Sequence, residues 1–169
     1  MAGNLEFIKS ETGTSVSSLE VTDCFSDKYD VYQVIMTDFV NTVNLNPNYQ
    51  LINSSGVVTT NTYDWATLIP ESVGTFGEVR NTNVNYIGLI GVVYENATLG
   101  IGTTTSVFNP YDSSSYTFFN SQASSTYNGN TYGYKVIGVE KTAQQITGIN
   151  LTNRGNGTFS ATVNVYGVK

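Results

Sequence analysis

Three acidic residues close together in the sequence are the nearest approach to a metal site. Asp23, Asp27 and Asp30 fall in one short segment around Lys28, and carboxylates are ligands that hard cations prefer. A calcium loop needs ligands at every second position and a glycine at its sharp turn, and this segment supplies neither. We interpret the three acids as parts of capped turns, with cation binding as the alternative.

The residue types needed for hydrolytic chemistry are sparse. The chain has no histidine, which excludes Ser-His-Asp and Cys-His arrangements and removes the only side chain that titrates near pH 7 unperturbed. Glycoside hydrolysis would instead need two acids facing each other across a cleft. Glu78, Glu95 and Asp112 are candidates, but no motif links them. We therefore expect a protein without enzymatic activity and without a cofactor.

The single cysteine points to packing. Cys24 has no second cysteine with which to form an intrachain disulfide or a zinc site. Its neighbour Asp23 is an acid, which would raise the pKa of a thiol. We interpret Cys24 as a small, semi-buried apolar residue.

Tyrosines on polar segments are the best candidates for recognition. The chain has 12 tyrosines, and a tyrosine ring offers the rigid amphipathic surface that is favoured at binding sites. Two segments, 109–116 and 125–132, carry such rings among Asn, Ser, Thr and Gly. The alternative is that these rings seal the ends of the fold. The candidate binding residues are Tyr111, Asp112, Tyr116, Tyr127, Asn128 and Tyr132.

Composition bounds the class of protein. A chain of 169 residues with 40 % hydrophobic content fits a single domain, 1–169. The net charge of −6 argues against a nucleic-acid partner, which clustered Lys and Arg would bind. The segment 1–7 lacks the basic and apolar parts of a secretory signal, and the apolar run 86–94 is about half the length of a membrane helix. We expect synthesis in the cytoplasm and no membrane insertion.

Short runs rich in Val, Ile, Tyr, Phe and Thr between Gly, Asn, Asp and Ser clusters predict an all-β fold. We expect an antiparallel two-sheet β-sandwich, jelly-roll-like, with about ten strands. The segments predicted as strands are 5–9, 17–21, 29–36, 48–53, 63–69, 84–94, 103–109, 116–120, 132–141, 146–152 and 158–168. The segments predicted as loops are 45–48, 70–77, 109–115 and 121–130.

Several local features sharpen this prediction. In the last strand, apolar residues from Phe159 to Val165 alternate with polar ones, which indicates one buried face. The segment 153–157 has two asparagines and two glycines and is typical of a hairpin loop. In 29–36, large apolar groups on both faces indicate a strand covered on both sides. Gly88 and Gly91 indicate close backbone approach or a bulge.

Trp65 lies on a strand pattern, so we expect it in the core or a subunit interface rather than in a ligand platform.

Four parts of the sequence resemble a known class of proteins. These are 5–10, 21–32, the segments 108–111 and 115–119, and the ending 163–169, and they resemble small β-sandwich structural proteins of tailed phages, especially those infecting marine cyanobacteria. The resemblance implies a non-enzymatic decoration, head-fibre or small tail protein on the virion surface. Its implied partners are other virion proteins, and a homotrimer is the natural assembly of a phage appendage. No catalytic or binding residue is implied.

Two functions remain open at this point. The first is a passive virion component, whose role is to be bound by neighbouring subunits. The second is the tip of a tail fibre that binds a host surface glycan through its tyrosine-bearing loops.

Overall fold

The structure is a computed structural model. It describes residues 4–41, 46–74, 76–90, 100–127, 129–155 and 157–169. For Tyr127 it describes the backbone but not the side chain. These residues form strands, turns and irregular segments and contain no helix. The strands are β1 (Leu5–Val16), β2 (Ser18–Val21), β3 (Val31–Asn41), β4 (Pro47–Asn53), β5 (Gly56–Val57), β6 (Tyr63–Pro70), β7 (Phe76–Val84), β8 (Ile87–Gly88), β9 (Ile101–Phe108), β10 (Thr117–Tyr127), β11 (Asn130–Glu140), β12 (Gly148–Asn153) and β13 (Phe159–Val168).

The strands form two antiparallel sheets. The large sheet has eight strands in the order β1-β13-β3-β9-β10-β11-β6-β7, and the small sheet has the order β2-β12-β4-β5, with β8 also paired to β4. This confirms the predicted all-β, two-sheet antiparallel class, and the described residues contain 13 strands in place of about ten.

One hydrophobic core lies between the sheets. The alternation predicted for the last strand is confirmed, since Phe159, Ala161, Val163 and Val165 are all buried while the residues between them are half-exposed. Trp65 is 5 % exposed and belongs to the same core. The inner face of the large sheet therefore packs on the small sheet, and its outer face is left to solvent.

Close approach between the two sheets explains why residue 88 is a glycine, as the sequence pattern at Gly88 and Gly91 indicated. A Cβ atom on Gly88 would lie 2.7 Å from Cζ2 of Trp65, so only a glycine leaves room for that ring. Gly91 lies outside the described residues.

The connection at 153–157 is not a hairpin loop, and that prediction is wrong. β12 pairs with β2 and β4 in the small sheet, whereas β13 pairs with β1 and β3 in the large one. Both edges of each strand are occupied by other partners, so the segment carries the chain across from one sheet to the other. Arg154 N donates to Asn46 O at 3.0 Å, and Asn153 Nδ2 donates to Gly157 O at 2.8 Å, which fixes this crossing.

Other predicted bounds also differ from the structure. Of the predicted loop 70–77, Pro70 ends β6 and the last two residues begin β7. Of the predicted strand 84–94, one residue ends β7, two form β8, and 91–94 lie outside the described residues. Strand β3 is paired on both edges but covered on one face only, because Gln33 and Ile35 are half-exposed.

The predicted loop 121–130 is instead a hairpin made of β10 and the start of β11. Ser121 and Ser125 are buried on the inner face of β10. Their hydroxyls find partners there, Thr105 at 2.8 Å and Tyr134 at 3.2 Å, so a serine-rich segment can pair as a strand without leaving these groups unsatisfied.

Candidate functional site

The candidate binding residues that the structure describes fall at opposite ends of one strand, β10. Tyr111, Asp112 and Tyr116 lie before the start of β10, and Tyr127 is its last residue. At about 3.3 Å per residue, the eleven residues of β10 separate the two groups by roughly 33 Å. The structure therefore does not bring the two groups into one site.

The first group sits on a well-fixed loop. The carboxylate of Asp112 accepts hydrogen bonds from Ser114 N at 2.8 Å and from Ser114 Oγ at 2.7 Å, and these bonds hold its pKa below the usual value. Pro110 O accepts from Ile146 N at 2.8 Å, which ties the loop to the segment before β12. Tyr116 is 46 % exposed and Tyr111 is half-buried.

The second group is only partly described. Asn128 and the side chain of Tyr127 lie outside the described part of the chain. Tyr132 is half-buried, packs against the core and forms an isolated bridge with Glu71. The ring of Tyr132 therefore contributes to the packing of the core.

The two acidic candidates that the structure describes, Glu78 and Asp112, lie far apart. Glu78 lies on β7 and Asp112 precedes β10, with β11 and β6 between those strands; three strand spacings amount to about 14 Å, more than the separation of a glycosidase pair. Glu95 lies outside the described residues. Among the residues that the structure describes, no three acids or cysteines, including Asp23, Asp27 and Asp30, form a group that could hold a metal ion.

Cys24 is more buried than expected. It is 2 % exposed, and its thiol donates to Val21 O at 3.2 Å. Burial raises the pKa of this thiol to about 12. The sequence indicated a raised pKa because of the charge of Asp23, but burial contributes more to the rise than that charge does. The thiol is therefore protonated at neutral pH and unreactive while the protein is folded.

A surface that the sequence analysis missed lies on the outer face of the large sheet. Three large apolar side chains are well exposed there, with Leu68 at 49 %, Phe118 at 46 % and Ile137 at 60 %. We call these three residues with Ala66 and Val139 the outer-face patch. The patch spans three neighbouring strands, β10, β11 and β6.

The strand register places these side chains together. Phe118 lies opposite Val139, and Ile137 lies opposite Ala66; directly opposite residues on one face have Cβ atoms about 4.5–5.5 Å apart. Leu68 is diagonal to Ile137 across the same strand pair. Apart from Leu68, these side chains line a shallow groove of 520 Å³.

Polar groups bound the groove on the β7 side. Arg80 and Thr82 contribute to its wall. Asp64 accepts from Lys141 Nζ at 2.9 Å and from Asn83 N at 2.8 Å, which lowers the pKa of its carboxyl. Asn83 has a positive φ of 54° at a bulge in β7, so this ion pair also fixes where the strand bends.

The signal for this surface was present in the sequence but ambiguous. On β10 and β11 the outward residues Phe118 and Ile137 look like core residues by type, and each has an apolar neighbour on the other face, Phe119 and Val136. Without the register, a strand with apolar groups on both faces does not reveal which one faces solvent.

Comparison with known proteins adds little to this geometry. No family model matches the chain, and no curated protein matches it. Among solved structures, the chain is similar to a mutant of the alginate lyase Aly36B in complex with alginate tetrasaccharide, with 9 % identity, a TM-score of 0.29, and coverage of 93 % of this chain and 72 % of that one. The described residues contain no helix long and apolar enough to cross a membrane.

Proposed function

We propose that the chain is a non-enzymatic structural protein of a tailed phage virion, either a capsid decoration or head-fibre protein or a small tail component. The observation that carries the proposal is the outer-face patch, an exposed apolar surface on a paired sheet. Contiguous apolar surface of this kind is characteristic of contact sites. We propose that a neighbouring structural protein of the particle covers it.

The scaffold suits this role. The patch lies on neighbouring strands of the large sheet, each paired along its length, and a preformed surface loses little conformational entropy when it is covered. The phage-like segments of the sequence provide the context, because their resemblance implies a virion protein. The absence of histidine fits a role in contact rather than acid–base chemistry.

The test is incorporation of a tagged chain into purified phage particles. The wild-type chain is expected in the particles, and Ile137→Asp, which puts a charge in the centre of the patch, is expected to reduce incorporation at least about tenfold. Gln122→Asp is the matched control, since Gln122 is exposed on β10 away from the groove. A wild-type chain absent from the particles contradicts the virion role, and an Ile137→Asp variant incorporated normally contradicts the patch as the contact.

A second candidate function is binding of a host surface glycan by the loop before β10. The observation in its favour is the exposed ring of Tyr116 on a loop that Asp112 holds in place. If this loop binds, a glycan array should lose its signal with Tyr116→Ala and keep it with Tyr127→Ala, because Tyr127 lies at the far end of β10. Equal loss with both variants argues against a single local site.

A further inference from the structure

The two edges of the large sheet are built differently. The edge strand β1 has register shifts at 7–9 and 13–16, with a positive φ of 53° at Ser15; such bulges discourage pairing with another chain. The other edge strand, β7, is paired with β6 without a shift from Phe76 to Asn81. Within the described residues, β6 is its only partner strand. A regular, proline-free edge of this length is a template for a further strand.

Two opposite charges on this edge are highly exposed and make only a weak ion pair with each other. Glu78 and Arg80 lie opposite Leu68 and Ala66, so both point to the outer face. They are 81 % and 82 % exposed, and their mutual contact is 3.9 Å, a long and solvated ion pair. An edge that repels copies of itself would carry charges of one sign. This edge instead carries a negative charge just before Val79 and a positive charge just after it.

The order Glu78-Val79-Arg80 is complementary to itself in the antiparallel direction. When two copies of β7 run antiparallel with Val79 opposite Val79, each Glu78 lies opposite the Arg80 of the other copy, and opposite charges at such positions stabilise a sheet. Parallel pairing in register would instead place like charges opposite each other. The charges therefore select a two-fold antiparallel arrangement.

We propose that β7 pairs with β7 of a second copy of this chain across a two-fold axis at Val79, joining the two large sheets into one. Phe76, 76 % exposed, then lies opposite Thr82 of the other copy. The outer-face patches flank the seam, because β6 carries both Ala66 and Leu68 next to β7. The symmetry is two-fold, in contrast to the homotrimer implied by the phage resemblance. This pairing does not depend on the virion role.

Charge reversal tests the pairing by analytical ultracentrifugation. The wild-type chain is expected to be a concentration-dependent dimer. Glu78→Arg alone and Arg80→Glu alone each place like charges at both contacts and are expected to weaken the dimer at least about tenfold. The double variant restores complementarity and is expected to dimerise as the wild type does. Because both side chains are largely exposed, the variants should fold, which the unfolding temperature checks.

Mixing the two single variants is the most specific test of the charge pairing. A copy with Arg at both positions matches a copy with Glu at both, so the mixture is expected to form heterodimers although neither variant dimerises alone. A wild-type chain that stays monomeric at about 100 μM, or a dimer unaffected by either reversal, overturns the proposal.

A disulfide tests the register independently. Val79→Cys places two thiols directly opposite each other across the axis, at a separation that a disulfide can span, and is expected to give a covalent dimer under mild oxidation. Asn81→Cys is the matched control, because it lies opposite Gly77 rather than itself and should not link. Native Cys24 is buried and does not contribute. Equal linking of both variants, or of neither, contradicts this register.

Discussion

Buried tyrosine hydroxyls connect side chains of the large sheet to backbone groups elsewhere. Tyr63 of β6 donates to Val58 O at 3.1 Å and accepts from Leu51 N at 3.0 Å. Tyr32 of β3 donates to Ser26 O and accepts from Ser26 N, each at 2.8 Å. These rings fill the core while their hydroxyls satisfy backbone groups of the small sheet and its connections. Part of the high tyrosine content is therefore explained by packing rather than by recognition.

Glu6 links the first strand in sequence, β1, to Lys169, which follows the last strand, β13. Its carboxylate accepts from Lys169 Nζ at 2.8 Å and from Lys28 Nζ at 2.5 Å, and these bonds lower its pKa from 4.5 to about 2. A carboxyl whose folded pKa is below its unfolded value contributes stability above the unfolded pKa and loses it as the pH falls toward the folded one. The contribution of Glu6 is therefore present above about pH 4.5 and disappears toward pH 2.

We predict that Glu6→Gln unfolds at lower urea than the wild type at pH 6, and that the difference shrinks between pH 4.5 and 2. Because the group is exposed, the difference should also shrink in 0.5 M NaCl. The matched control is Glu11→Gln, also on β1, whose contact with Lys9 is 3.7 Å. A Glu6→Gln variant whose deficit stays constant from pH 6 to pH 2 would rule out this linkage.

At the scale of elements, β9 and β10 are joined by a hydroxyl pair as well as by their ladder. Thr105 and Ser121 lie opposite each other on the inner face, both fully buried, with their oxygens 2.8 Å apart. Removing one hydroxyl leaves the other buried without this partner, whereas removing both leaves none unsatisfied.

A double-mutant cycle tests this pair. We expect Ser121→Ala and Thr105→Val each to lower the free energy of unfolding by about 1–3 kcal/mol. The double variant should lose less than the sum of the two single losses. Strictly additive losses, measured by urea denaturation, would mean that the two hydroxyls do not depend on each other. Thr104→Val, on the outer face of the same strand, serves as the control.

The elements that could be predicted from sequence are those whose pattern reflects one buried face. The alternation from Phe159 to Val165 predicts β13 because every second residue enters the core. The edge strand β7 could not be found this way, because its outward residues include Phe76 and its inward residues include Gly77 and Asn81, so no regular apolar alternation marks one buried face. The serine-rich end of β10 was missed for a related reason, since Ser121 and Ser125 are polar by type yet buried.

Which strands pair with each other was harder to predict from sequence than where the strands lie. The loop before β13 has the composition of a hairpin turn, and composition does not distinguish a turn within one sheet from a crossing between two. The outer-face patch depends on registers between distant segments, which is why Phe118 could not be assigned to the solvent side. The loop before β10, by contrast, was predicted from the Asn, Pro, Asp and Ser residues clustered in 109–115.

At the scale of the whole molecule, one core connects both sheets. Trp65 of the large sheet and Cys24, beside the small sheet, belong to the same buried cluster. A shared core predicts that the described sheets unfold together rather than in turn.

We predict that three probes report one unfolding midpoint in urea. They are far-ultraviolet circular dichroism for the strands, fluorescence of Trp65, the single tryptophan, and reaction of Cys24 with a thiol reagent at pH 8. The thiol should be unreactive before the transition, because burial raises its pKa to about 12, and reactive after it. Separate midpoints for Trp65 and Cys24 would show that the two layers unfold independently.

The position of β13 between β1 and β3 has a consequence for biosynthesis. Of the thirteen described strands, β1 is the first to be synthesised, and its partner in the large sheet, β13, is the last. Among the described strands, β1 therefore has no neighbour in the large sheet until β13 is made, and β3 has one open edge. Such long-range pairing is slow to form and exposes nascent strands to mispairing. The large sheet is therefore completed only after synthesis of β13, and until then the edges that β13 will occupy on β1 and β3 are open.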